Sequence, residues 1–232
     1  MVSGMSETAE IVFLFDVDNT LLDNDGVQDH LREHLEQAYG AAARDRYWQI
    51  FEELRNELGY ADYLGALERY RLEAMHRPEV LRMSSWLVDY PFADRLYPGA
   101  VDAVGYVKQW GPAVILSDGD AVFQPRKVER SGLWRAVDDR VLIYVHKELE
   151  LDDVERLYPA NQYVLIDDKL RILAAVKKTW GKRVTTVFAK QGHYAHDPQA
   201  LAEYPAADID LACIADLMTC DLAAFLRKRG KA

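Results

Sequence analysis

Two aspartates spaced two residues apart are the first place in this sequence where chemistry is legible. They lie in Phe15-Asp16-Val17-Asp18-Asn19-Thr20-Leu21, directly after the apolar run 11–15. At the end of a strand, residues i and i+2 project to the same side, so Asp16 and Asp18 share one pocket. Two carboxylates that close repel, and a fold keeps them together when a cation compensates. Hard oxygen ligands suit Mg²⁺, which takes a few carboxylates, keeps several waters and accepts substrate phosphate oxygens. The plain alternative is a turn in which Asp18 and Asn19 only cap the next helix. Further acids and a lysine at later strand ends weigh against it.

Those later groups follow three more apolar runs. The run 113–116 leads into Ser117-Asp118-Gly119, where a hydroxyl and the backbone amides of a glycine-containing turn can donate to an anion. Taken alone, Ser-Asp-Gly is an ordinary turn. The run 141–145 is followed by His146-Lys147, and a lysine there can neutralise a phosphate oxygen and hold the Asp16 carboxylate. The run 163–166 ends in Asp167-Asp168, a second acid pair that reads as metal ligands.

Continuous apolar runs of this length, including 184–188, mark strands buried on both faces, and helical patterns separate the later ones. The alternation predicts an α/β fold, a Rossmann-like three-layer core with a parallel sheet. One interval departs from it. Residues 24–95 carry only amphipathic helical spacing: Leu31, Leu35, Ala38 and Tyr39; Trp48, Phe51, Leu54 and Leu58; Tyr63, Leu67, Tyr70 and Ala74; then Val80, Met83 and Leu87 after Pro78, a favoured first-turn residue. Four short helices make a small bundle of their own, an α-helical cap inserted above the crevice at the strand ends. The expected division is a core of 1–23 and 96–232 with a cap of 24–95.

The ordered set resembles the haloacid dehalogenase superfamily. Its first motif, Asp-x-Asp-x-Thr, is matched by Asp16, Asp18 and Thr20; its second by Ser117; its third by Lys147, though the usual Gly-x-x-Lys-Pro surroundings are missing; its fourth by Asp167 and Asp168. The resemblance spans the chain and implies a cap of the C1 type. It also implies a mechanism: Asp16 attacks phosphorus and Asp18 acts as acid and base. Asp16, the Asp18 backbone carbonyl and Asp168 bind Mg²⁺, with Asp167 a ligand or its supporting partner. Thr20, Ser117 and Lys147, with amides near Asp118, hold the phosphoryl oxygens. Dehalogenating members release halide without Mg²⁺ and do not need the second acid of the first motif, which this chain has. The expectation is therefore an enzyme, a hydrolase of a small phosphomonoester. A phosphotransferase or mutase on the same intermediate, and a non-catalytic binding protein, are the alternatives.

Composition narrows the partners. The 232 residues carry 28 basic and 38 acidic side chains, a net charge of −10, with no basic tract to grip a phosphate backbone, so a small phosphorylated metabolite is expected rather than nucleic acid. No apolar run reaches the roughly 18–20 residues that span a bilayer. No secretory signal pattern is visible, residues 1–4 before Met5 read as a start-site remnant, and cytoplasmic location is the expectation. Cys213 and Cys220, seven apart on an expected helix, are read as buried free thiols. Trp48, Tyr63 and Tyr70 are expected in the cap interior, while Tyr60, beside Gly59 in a turn, is a candidate to face substrate. His193-x-x-His196 lacks a third ligand and is not read as a zinc site. The acidic stretch 148–155 reads as a solvated helix start.

Overall fold

The strand β1 (Ala9–Phe15) shows why the sheet forms where it does: Phe13 and Phe15 point to one buried cluster, Val12 and Leu14 to the other. Period-two side chains that are apolar on both faces need helices on both faces. The structure is a computed structural model that describes residues 8–74 and 80–220. The helix start expected at Pro78 and the reading of residues 1–4 and Met5 lie outside the described residues.

After β1 come α1 (Asn24–Tyr39), α2 (Ala41–Leu58), α3 (Tyr63–Glu73) and α4 (Val80–Val88). The alternating part then runs through α5 (Ala100–Val107), β2 (Ala113–Asp118), α6 (Phe123–Arg130), α7 (Leu133–Ala136), β3 (Val141–Tyr144), α8 (Leu151–Leu157) and β4 (Ala160–Asp167). It ends with α9 (Leu170–Trp180), β5 (Val184–Ala189), α10 (Pro198–Glu203) and a short β6 (Ile209–Leu211). The six strands are all parallel in the order β3-β2-β1-β4-β5-β6. This is the expected α/β architecture; β6, only three residues long, gave no sequence pattern.

The order reverses at β1, which pairs with β2 on one side and β4 on the other. Ligands bind at such a switch point, outside the carboxyl ends of the strands. Asp16, Asp118, Lys147 and Asp167 all sit at that edge.

The two chain connections of the helical interval run side by side. Leu22 and Leu96 form an antiparallel bridge, and the Asp23 and Tyr97 amides donate to the Arg95 and Leu21 carbonyls at 2.8 and 3.0 Å. The interval does not keep its apolar faces to itself. Leu31, Tyr47, Phe51, Tyr63 and Met83 belong to the same buried cluster as Phe13 and Phe15 of β1 and Val104 of α5. Tyr63 packs on Phe123 with ring centroids 4.9 Å apart, and Phe123 on Phe92 at 5.7 Å. The small bundle expected of 24–95 is part of one continuous buried cluster with residues of the sheet and its helices.

Two smaller expectations are corrected. Cys213 and Cys220 flank a short 3-10 turn, Ile214–Met218, instead of sharing a helix; Cys213 is exposed and Cys220 half-buried. Glu148 is not solvated, because Arg171 of α9 folds over it at 2.5 Å and leaves its side chain mostly covered. Among the described residues, no helix is long and apolar enough to cross a membrane.

Candidate active site

The first four strands deliver polar groups to the crevice. Asp16, the first residue after β1, is 2% exposed. Its Oδ1 accepts from Lys147 Nζ at 2.5 Å and its Oδ2 from the Thr20 hydroxyl at 3.2 Å. Lys147 opens the turn after β3 and is fully buried; its backbone N–H donates to Asp118 Oδ1 at 2.8 Å, which ties that turn to the end of β2. Asp167 Oδ2 lies 2.7 Å from the same ammonium, an ion pair without hydrogen-bond alignment. Its Oδ1 accepts from the Lys169 amide at 2.8 Å.

Asp168 is the exception. It is buried, and neither carboxylate oxygen has a hydrogen-bond partner. Such a group is costly unless something binds it. Burial pushes the Asp167 carboxyl up to about 6, against the pull of Lys147, and pushes Asp168 well above the usual carboxylate range, against the pull of Lys169. For Lys147, burial opposes the charge, but Asp16 and Asp167 outweigh it and hold the ammonium well above its usual value. Ligand atoms of Asp16, Asp167 and Asp168 fall within 4.8 Å of one another, the only such acidic group among the described residues. Clustered carboxylate oxygens, two of them unpartnered, fit a hard divalent cation such as Mg²⁺.

The second-strand residues are arranged differently from the sequence expectation. Ser117 Oγ is buried and accepts from Gln124 Nε2 of α6 at 2.9 Å. The Gly119 amide, expected among donors to an anion, instead donates to the Tyr144 carbonyl at 2.9 Å and extends the sheet. Thr20 turns its hydroxyl to Asp16 and lies fully buried, so it orients that carboxylate.

A cavity of about 480 Å³ opens beside these groups, lined by Asp18, Asp118, Gln124, Lys169 and Arg171 from the sheet side and by Arg55, Gly59, Tyr60 and Tyr63 from the helical interval. Gly59 takes φ +80, and a Cβ there would meet His146 Cε1 at 2.8 Å, so a larger residue would be strained and would push aside the ring preceding Lys147. Tyr60 does line this space. Tyr63 is interior, as expected, yet its hydroxyl accepts from Asn24 Nδ2 at 3.4 Å and part of it reaches the cavity. His193 and His196 are both exposed; His193 Nδ1 pairs with Asp25 at 2.6 Å, and no metal-ligating group forms around them among the described residues.

Asp16, Thr20, Ser117, Lys147, Asp167 and Asp168 are therefore brought together in the buried layer, with Asp18 and Asp118 at the cavity wall. Sequence reasoning missed Gln124 and Lys127. Lys127 is fully buried, and its Nζ donates to Asp18 Oδ1 at 2.6 Å and Asn24 Oδ1 at 3.0 Å. The signal was present: Phe123, Gln124, Lys127 and Val128 form one helical face, and a lysine on an apolar stripe needs an anionic partner.

Comparison with known proteins places this geometry in a family. The model of the haloacid dehalogenase-like hydrolases matches residues 12–178. A haloacid dehalogenase-like hydrolase from Burkholderia xenovorans LB400 is 59% identical, with 94% of this chain and 99% of that one covered and a TM-score of 0.89. A magnesium-bound HAD hydrolase from Bacillus subtilis shares the fold at 15% identity, covering 91% and 98%, TM-score 0.60. So does an L-2-haloacid dehalogenase from Xanthobacter autotrophicus with chloropropionic acid covalently bound, at 18% identity, covering 91% and 98%, TM-score 0.57. No match was found among curated proteins.

Proposed function

The chain belongs to the haloacid dehalogenase-like hydrolases, and from that premise we propose that it hydrolyses a small phosphomonoester with Mg²⁺. The observation that carries the reading is Asp168, a buried carboxylate with both oxygens unpartnered beside Asp16 and Asp167. Halide displacement by a carboxylate requires no cation and no second acid at position 18. Here the acids that a cation would satisfy are built into the fold, and Asp18 stands on the cavity wall.

Asp16, Asp168 and the Asp18 backbone carbonyl would hold the ion, with Asp167 supporting them or joining them. Bound there, it would neutralise phosphoryl charge. Asp16 Oδ attacks phosphorus while Thr20 and Lys147 fix the orientation of its carboxylate. The P–O ester bond breaks, its electron pair stays on the ester oxygen, and that oxygen takes a proton from the Asp18 carboxyl. In the second half Asp18 takes a proton from water as the water oxygen attacks the phosphorus of the Asp16 acyl phosphate; the Asp16 O–P bond breaks, its electron pair returns to the Asp16 carboxylate, and inorganic phosphate leaves. Lys147 offsets negative charge throughout.

The leaving group then lies in the 480 Å³ cavity, against Tyr60 and Arg55 of the helical interval. That interval acts as the cap and supplies the selectivity that the phosphoryl-binding groups lack. The fit to a metabolite rests on cavity size and polarity, and the chain's strong net negative charge gives nucleic acid no general attraction.

Release of phosphate from a panel of phosphate esters, with Mg²⁺ and with EDTA, tests the reading. Turnover that stops with EDTA supports it. Equal rates in both would remove the metal from the mechanism, and halide release from 2-haloacids without phosphate release would replace the reading with dehalogenation.

A further inference from the structure

We propose that Lys127 is a positioning residue for Asp18, holding the proton-transfer carboxyl at the cavity wall through a buried link to the helical interval. The inference rests on the phosphatase reading above and extends it to a residue outside the four motifs.

An ammonium is rarely buried completely without a strong partner. Lys127 is fully buried yet comes from the middle of α6, on the stripe with Phe123 and Val128. Its Nζ sits 5.3 Å from the Phe123 ring centroid and 6.0 Å from that of Tyr63, so aromatic faces enclose it. Its hydrogen bonds leave only two directions: Asp18 Oδ1 at 2.6 Å and Asn24 Oδ1 at 3.0 Å. Asn24 begins α1, and its Nδ2 continues the chain to the Tyr63 hydroxyl at the start of α3. Tyr47 of α2 fixes Tyr63 in turn by donating to its carbonyl at 2.9 Å.

Asp18 is held on one oxygen only. Its side chain remains 24% exposed and lines the cavity, and among the described residues it makes no other side-chain hydrogen bond. A charge-assisted bond to a rigid donor selects one rotamer and leaves the second oxygen for the substrate. Catalysis by proton transfer depends on that placement to within a fraction of an ångström. The same link makes the position of Asp18 depend on three helices of the interval, so the cap and the proton donor are set together.

A purely structural lysine and a positioning lysine differ in how loss depends on the leaving group. Departure of 2,4-dinitrophenolate needs no proton, whereas departure of phenolate does. Lys127→Met should lower kcat/KM for phenyl phosphate by roughly 10–100-fold, while the value for 2,4-dinitrophenyl phosphate falls less than about threefold. Each loss is read as the variant-to-wild-type ratio on one ester, so any difference in cavity fit between the two esters cancels. If Lys127→Met does not fold by circular dichroism and thermal melting, Asn24→Ala carries the test, with the same selective loss at smaller size. Equal loss on both esters, or no loss on either, in the folded variant overturns the role of Lys127 alone. A wild-type chain that releases phosphate neither from these esters nor from any member of the panel above overturns the phosphatase reading, and this inference with it.

Discussion

The carboxyl edge of the sheet and the outer surface of the helical interval are built from the same charged residue types and use them in opposite ways. At the sheet edge, Asp16, Lys147, Asp167 and Asp168 are buried, with the ammonium within 2.7 Å of two carboxylates. On the interval, Arg46–Glu73 and Arg69–Glu57 pair at 2.5 and 2.7 Å, but every partner is 35–58% exposed. Water screens the second kind, and its contribution to stability is small. It cannot screen the first, where each charge fixes the position and protonation of its neighbours. Burial, more than residue type or pairing distance, separates a reactive charge from a decorative one.

The hardest way to break that contrast is to neutralise Asp16, the proposed nucleophile. Asp16→Asn keeps the shape and removes the attacking charge, so turnover should fall on the order of 10⁴-fold or more while the melting temperature stays near that of the parent. Steady-state phosphate release and thermal unfolding on the same sample decide it. Near-native turnover would discard covalent catalysis at this residue.

Lys147→Met should come next. Removing one partner leaves uncompensated buried carboxylates, and urea unfolding in EDTA should show a loss of about 3–5 kcal/mol. Added Mg²⁺ should restore part of it by supplying the missing positive charge. A loss below about 1 kcal/mol would put this edge in the same class as the surface pairs.

A pH series sharpens the comparison further. The Asp167 carboxyl titrates near 6 when folded, above its unfolded value, so the folded metal-free protein keeps a proton that the unfolded chain loses between about pH 4 and 6. Metal-free stability should therefore fall as pH rises through that window. A cation must displace bound protons from the acid pair, so Mg²⁺ affinity should weaken by about tenfold or more per pH unit below 6. Calorimetric titration at pH 5, 6 and 7.5 measures this. A flat profile would show that the Asp167 proton is not coupled to metal binding.

The smallest effect belongs to the interval surface. Arg69→Ala should change unfolding free energy by less than about 1 kcal/mol and leave turnover unchanged. A larger loss would mean that this pair is not screened as its exposure indicates.

The two regions also differ in how openly the sequence declares them. Parallel strands buried on both faces must be apolar throughout, so 11–15, 113–116 and 163–166 are plain in the sequence, and the polar residue after each run stands out. Asp16, Lys147 and Asp168 could be placed from one dimension because a parallel sheet brings all its carboxyl ends to one edge. The three residues of β6 are too few to show a period. Lys127 and Gln124 come from a helix, where a polar residue on the inner face resembles one that is merely exposed until its partner is known. The Gly119 amide looked available because sequence does not say that β3 would claim it. The apolar faces of 24–95 were legible as faces, but which surface they meet depends on helix packing that spacing does not encode.

That shared interior has a thermodynamic consequence. The interval shares its core with the rest of the chain, since Tyr63 and Phe92 both pack on Phe123 of α6 within one buried cluster. Melting the helices would uncover Phe123 and the face of α6 that they cover. Cooperativity should therefore extend over the whole molecule, with a single heat-absorption peak whose van't Hoff and calorimetric enthalpies agree. Sequence order interrupts the sheet with four helices, but the folded chain gains or loses both as one unit.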